Sequence, residues 1–327
     1  MLNGVSDIHR VAVVGSGYMG GGIAMVFALG GYDVTLADVD GPTAQRARER
    51  VVKEAEQAES EGLLSAGSAQ RVRDRLVFAP SIGDAVAAAH FVTEAVPERL
   101  STKHDTLRAV SAAAADDALI ATNTSAIPIA ELARSVDNPS RFLGVHWMNP
   151  APYIPGVEII AGDETSEHTV ELALGLIRAV GKAPARVADT PGFVANRLQF
   201  ALYKEAVRIV EEGVASPEQI DTVVSNTFGF RLALFGPFAI GDMAGLDVYE
   251  SSYRTLEDAF GERFATPEPL ARLVQRGDLG LKSGRGYLDI EAHEVAALLK
   301  YRALAYARLA ALRRELGPAP GLGGGEG

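Results

Sequence analysis

The stretch "VAVVGSGYMGGG", residues 11–22, decides the fold. A short apolar run ends in glycine, and Gly15, Gly17 and Gly20 then follow the spacing G-x-G-x-x-G. Each position has a physical reason. The first glycine permits a tight turn out of a strand, the second lets backbone approach a pyrophosphate, and the third lets the next helix pack closely on the strand. The first N–H groups of that helix, around Tyr18 and Met19, are donors for the phosphates.

Spacing alone would also suit any glycine-rich turn, so the surroundings matter. A second strand pattern, DVTLAD (33–38), ends in Asp38, 23 residues beyond Gly15 and close to the offset expected for an acid that holds a ribose. A carboxylate there accepts from the 2′-hydroxyl and repels a 2′-phosphate. Val39 and Asp40 come next, with no arginine, so the predicted cofactor is NAD rather than NADP.

The pattern continues outward. VAVVG (11–15), DVTLAD (33–38), RLVFA (75–79), FVTEAV (91–96), ALIATNT (118–124), FLGVHW (142–147), GVEIIAG (156–162) and PARVA (184–188) read as strands, most of them separated by helical stretches. Such alternation predicts an α/β fold, a mostly parallel, doubly wound Rossmann-type sheet. Near Thr190 the pattern changes to helices with almost no strands. Ser216, Pro217 and Gln219 mark one helix start as N-cap, N1 and N3. A last helix is expected at roughly 292–315, its apolar face packed on the body or on a second subunit. The expected division is a nucleotide-binding domain at 1–189, an all-helical domain at 190–317 and a disordered tail at 318–327, the last from its composition, APGLGGGEG.

Whole-chain totals exclude several classes. The chain has 327 residues, enough for two domains, and is 47% hydrophobic and 22% charged, as ordinary globular proteins are. A net charge of −11 argues against nucleic-acid binding. The absence of cysteine excludes disulfides and thiolate chemistry and suits a cytoplasmic setting. MLNGVSDIHR (1–10) has no apolar signal-peptide core, and no apolar run is long enough to span a membrane. No metal site is expected.

His146 stands at the end of an apolar run, and Glu158 follows twelve residues later. Alone, the histidine could be a core residue satisfied by backbone, and the glutamate a strand-end cap. Five motifs bear on the choice: VAVVGSGYMGGGIA, TNTSAIPIAEL, GVHWMNPAP with VEII, DTPGFVANRL and GLKSGRGYL. In this order they resemble the 3-hydroxyacyl-CoA dehydrogenase family over about residues 8 to 290. The resemblance implies a Rossmann-type domain followed by a helical dimerisation domain, hence a homodimer. It also implies NAD-dependent oxidation of an L-3-hydroxyacyl compound, the chemistry of fatty-acid metabolism. His146 becomes the acid/base and Glu158 its partner. An imidazole with an ordinary pKa near ~6.5 suits proton removal at neutral pH, and a carboxylate on its other nitrogen fixes the tautomer.

The resemblance further implies that Ser125 and Asn196 hydrogen-bond the reacting oxygen and position the substrate. Serine and asparagine can donate to a developing alkoxide without competing for its proton. A strand-end cap and an interdomain contact are their structural alternatives. By the same resemblance Glu98 and Lys103 lie near the ribose and nicotinamide, and Asn149 and Lys282 make further cofactor contacts; each could instead be a solvated or structural polar residue.

Two departures leave the substrate open. Relatives that use coenzyme A carry a hydroxyl residue and a lysine, seven apart, on the helix after the ribose-binding acid; the same offset here meets Glu54 and Glu61, although Arg50 or Lys53 could serve if the offset slips. Arg231, in FGFRLALFGP (228–237), matches a pattern common in members that act on small free hydroxy acids, such as gulonate or carnitine dehydrogenases, where a guanidinium can grip a carboxylate. GPFAIGDMAGLDVY and KSGRGYL point the other way, toward acyl-CoA enzymes. A non-catalytic NAD-binding scaffold or redox sensor is the alternative outside enzymology, and a scaffold has no need of the His146–Glu158 pair.

Overall fold

The computed structural model describes residue 2 and residues 4–320. The chain divides into two compact units, residues 1–203 and 204–327. The expected disordered tail falls mostly on residues 321–327, outside the described residues.

In the first unit β1 (Arg10–Val14), α1 (Tyr18–Leu29), β2 (Asp33–Ala37), α2 (Gly41–Ser60), α3 (Ser68–Arg75), β3 (Leu76–Phe78), α4 (Ile82–Val86) and β4 (Phe91–Glu94) are followed by α5 (Leu100–Ala113), β5 (Leu119–Thr122), α6 (Ile129–Ala133), β6 (Phe142–Trp147), β7 (Gly156–Ala161), α7 (Glu167–Ala179) and β8 (Ala183–Ala188). One sheet has the order β3-β2-β1-β4-β5-β6-β7-β8. It is the doubly wound Rossmann-type arrangement, parallel except where β6 meets β7. Both faces carry an apolar core. Phe27, Val51, Leu143, Trp147 and Ile177 belong to one, and Leu107, Ile120, Ile129, Phe142 and Phe193 to the other. Strands buried on both faces are continuous apolar runs, which is why they were readable.

The strand order reverses between β1 and β4. Ligands of such sheets bind beyond the carboxyl ends of the strands at that point. Here the glycine turn after β1 and residues 95–98 after β4 flank the crevice. Gly15 has φ +93°, and a Cβ on it would lie 2.7 Å from the Ala95 carbonyl. A Cβ on Gly20 would lie 1.8 Å from the Gly15 oxygen, so only glycine lets α1 start this close to β1.

α8 (Ala195–Glu211) runs across the division between the units. The second unit continues with α9 (Pro217–Asn226), α10 (Phe228–Leu232), α11 (Pro237–Ala244), α12 (Leu246–Phe260), α13 (Glu268–Gln275) and α14 (Val295–Leu316). The expected capping box is present: Ser216 accepts from Gln219 N–H at 3.3 Å and donates its own N–H to the Gln219 side chain at 2.9 Å. Among the described residues of this unit the buried hydrophobics are Ile240, Leu246 and Leu270. Phe238, Phe260, Tyr301, Leu304 and Leu316 stand exposed instead. No described helix is long and apolar enough to cross a membrane.

Candidate active site

A cavity of about 730 Å³ opens at the switch point, lined among others by Gly15, Gly17, Tyr18, Met19, Asp38, Glu98, Asn123 and Ser125. Gly17 is the N-cap of α1, and a Cβ there would meet nothing within 4 Å, so its surface is open to a ligand. Asp38 ends the β2 side of the cavity. One carboxylate oxygen accepts the Ser16 N–H at 2.7 Å and the Ser16 hydroxyl at 2.5 Å; the other accepts the Val39 N–H at 2.7 Å. That arrangement holds the acid beside the glycine turn, where a ribose hydroxyl could still donate to it. Open phosphate cradle, close-packed glycines and fixed carboxylate together fit a dinucleotide without a 2′-phosphate.

His146 and Glu158 are both buried, and the β6–β7 register sets them opposite each other. His146 Nδ1 lies 2.8 Å from Glu158 Oε2. The other carboxylate oxygen accepts the N–H groups of Val194 and Ala195, each at 2.9 Å, at the start of α8. An ionised carboxylate can only accept, so the shared proton sits on Nδ1 and leaves the lone pair on Nε2. Phe193 covers the imidazole at a ring separation of 5.6 Å. It is fully buried with φ +49°, a strained conformation for a non-glycine residue.

Ser125 and Asn196 also come together. The Asn196 side-chain amide donates to the Ser125 carbonyl at 3.0 Å. The Ser125 hydroxyl has no partner among the described residues. Glu98 organises this loop: one of its oxygens accepts from the Thr124 hydroxyl at 2.5 Å and from the N–H groups of Ser125 and Ala126 at 2.9 and 3.1 Å. Burial pushes the Glu98 carboxyl up, but these bonds and the Lys103 ammonium outweigh it and hold the group below the usual carboxylate range. Lys103 is fully buried against Glu94 and is not part of the cavity wall.

The other candidates are more scattered. Asn149 is exposed on the turn after β6. Lys282, in the second unit, pairs with Asp247 at 2.7 Å. Arg231 lies on α10, half-buried, and its guanidinium has no partner among the described residues. On α2, Arg50 donates to the Ser16 and Gly17 carbonyls at 2.8 and 3.2 Å and pairs with Glu54 at 3.1 Å, so its charge serves the glycine turn. Glu54 and Glu61 line a separate cavity of about 270 Å³ beside α1 and the 150–153 turn.

Three site-building residues escaped sequence reading. Lys182 donates to the carbonyls of Ala151, Pro152 and Ile154 at 2.6–3.1 Å and pins the turn that carries Asn149; burial lowers its pKa. Asp189 accepts the N–H groups of Ile129 and Ala130 at 2.9 Å. Glu94 is buried at the end of β4. Glu94 alone left a signal, a carboxylate inside a strand pattern buried on both faces, which demands a cation.

Fold and site define a dehydrogenase that uses NAD. The chain belongs to the 3-hydroxyacyl-CoA dehydrogenase family: the profile of the family's NAD binding domain matches residues 10–190, and that of its C-terminal domain residues 192–290. It is 38% identical to a 5-formyl-3-hydroxy-2-methylpyridine 4-carboxylate 5-dehydrogenase of Mesorhizobium japonicum, over 94% of this chain and 98% of that protein. A solved structure of an enzyme of that name, described as an NAD+ dependent dismutase, superposes with a TM-score of 0.70 at 38% identity, covering 94% of this chain and 98% of the other. A probable 3-hydroxybutyryl-CoA dehydrogenase of Bacillus subtilis is 35% identical over 87% of this chain and 98% of its own length.

Asp38→Ala should relax the preference for NAD over NADP, since it removes both a ribose acceptor and the repulsion of a 2′-phosphate. Steady-state kinetics with both cofactors checks this; a wild type that already prefers NADPH would contradict it.

Proposed function

We propose that this enzyme interconverts a small free β-hydroxy acid and its 3-oxo form, with His146 as the base and Glu158, Ser125 and Asn196 as its helpers. The His146–Glu158 hydrogen bond carries the reading. NAD, when bound, supplies the hydride acceptor. His146 takes the hydroxyl proton on Nε2, and Glu158 stabilises the imidazolium that results. Ser125 donates its unpartnered hydroxyl to the reacting oxygen. Asn196 uses one amide N–H on the Ser125 carbonyl and has a second for the substrate. In a folded His146→Gln variant, kcat should fall by on the order of 10²–10⁴ with NADH binding retained. Normal turnover would remove His146 from the mechanism.

Substrate choice rests on charge. The α2 surface that meets coenzyme A in CoA-using relatives carries Glu54 and Glu61 here, and Arg50 is already engaged. The unpartnered Arg231 guanidinium suits a carboxylate. The relative aligned over 94% of this chain is named for a pyridine carboxylate. The competing reading, a 3-hydroxyacyl-CoA thioester, is favoured by the name of the Bacillus subtilis relative. An NAD-coupled panel of 3-hydroxybutyryl-CoA, free 3-hydroxybutyrate and other β-hydroxy acids separates them. For a free acid, Arg231→Leu should raise KM strongly, a loss of about 2–5 kcal/mol for a desolvated carboxylate. Efficient use of the thioester, untouched by Arg231→Leu, would decide against the free acid.

We further propose a domain boundary near residue 190, where the two family profiles meet, and a homodimer built on the helical half. Phe200, Tyr203, Val210, Phe260 and Leu304 stand exposed in the single chain, and burying such faces should cover more than ~2,000 Å² in total. Light scattering should give twice the chain mass at micromolar concentration; a monomer would contradict this.

A further inference from the structure

We propose that Phe193 is a positioning residue for the His146–Glu158 pair: its left-handed backbone turns two N–H groups onto Glu158, and its ring seals the imidazole from water. The starting point is a backbone outlier. Gly192 has φ +74° and Phe193 φ +49°, and among the described residues Phe193 is the only non-glycine with positive φ. Glycine takes such a conformation freely; a side chain makes it costly, and the cost persists only where the surroundings enforce it. Rotation at Phe193 decides where the next peptide points. The N–H groups of Val194 and Ala195 converge on Glu158 Oε1, each at 2.9 Å. Two successive N–H groups aimed at one oxygen form an anion-holding turn, and they leave Oε2 for His146 Nδ1 at 2.8 Å.

A glycine at 193 would serve that turn without strain, so the turn does not account for the side chain. The ring does. It lies 5.6 Å, centroid to centroid, from the imidazole at an interplanar angle of 57°. It also belongs to the apolar cluster that contains Ile129 and Ile160, so the pair meets hydrocarbon on this side rather than solvent. With the ring in place His146 is 4% and Glu158 6% exposed. No water then competes for the hydrogen bond between them, and such a bond is stronger in a dry, low-dielectric setting. Without the ring, both Nδ1 and the carboxylate gain water as an alternative partner. One residue thus serves the pair twice, through its backbone at Glu158 and through its ring at His146. The inference rests on the proposed role of His146 as the base.

The test reads the Nδ1 proton of His146 by NMR. In the wild type it should give a low-field signal that exchanges slowly with water. Phe193→Leu keeps most of the apolar volume and should exchange that proton about tenfold faster. Phe193→Gly removes the ring but permits the turn; it should lose the signal into water while the Val194 and Ala195 amides keep their hydrogen-exchange protection within about threefold. Phe193 does not line the nucleotide cavity. In the leucine variant kcat, read with the best-used acid of an NAD-coupled panel, should therefore fall about tenfold while the Kd for NADH stays within about threefold, because a loosened base costs turnover rather than cofactor binding. A wild-type proton that already exchanges fast, or a leucine variant with wild-type exchange, would overturn the shield, and both readings stand even if the glycine variant fails to fold. Lost amide protection in a folded Phe193→Gly would overturn the backbone role. His146→Gln, run alongside, keeps the two ideas apart: full turnover there removes the histidine from the reaction, while proton exchange still decides what Phe193 does.

Discussion

Between β6 and β7 the sheet reverses direction, and the site depends on that reversal. Residues 148–155 are all that separates the two strands, too short for the crossover that a parallel pair requires. The strands must therefore pair antiparallel, and the observed register matches His146 with Glu158. Directly opposed residues project from the same face of a sheet, so imidazole and carboxylate meet without help from any loop. Lys182 then fixes the turn itself through three backbone carbonyls. A slip of one residue would send Glu158 to the other face.

Carboxylates do the same kind of work around the whole crevice. Loops leaving the strand ends expose backbone N–H groups that must find acceptors. Asp38 takes those of Ser16 and Val39, Glu94 that of Val96, and Glu98 those of Ser125 and Ala126. Glu158 takes those of Val194 and Ala195, and Asp189 those of Ile129 and Ala130. Glu158 thus has two tasks at once: one oxygen orients the histidine while the other anchors the start of α8, which places Asn196 beside Ser125.

Much of this was legible in the chain itself. The strands were readable, most of them as short apolar runs, although β8 carries Pro184 and Arg186 and has no buried residue, and the glycine spacing with Asp38 located the cofactor crevice. The short helices α4 and α6, five residues each, were not, since they are too brief to show a period. Lys103 illustrates a deeper limit. The carboxylate of Glu94 inside a strand pattern asks for a cation, but that Lys103 supplies it is visible only once β4 and α5 are packed together. The positive φ of Phe193 left no trace either, because a buried aromatic carries no turn signal. In the helical half, the amphipathic pattern was plain, yet what covers the apolar faces is not contained in a single chain.

The central claim is that Glu158 holds His146 in the one tautomer that can accept an alcohol proton. Nitrogen-15 NMR of the His146 ring, at a pH alkaline enough to keep the imidazole neutral, measures this directly. The geometry requires a protonated Nδ1 facing Glu158 and an unprotonated Nε2. A spectrum with the proton on Nε2 in the folded enzyme would contradict it, for the histidine would then have no lone pair to offer the substrate.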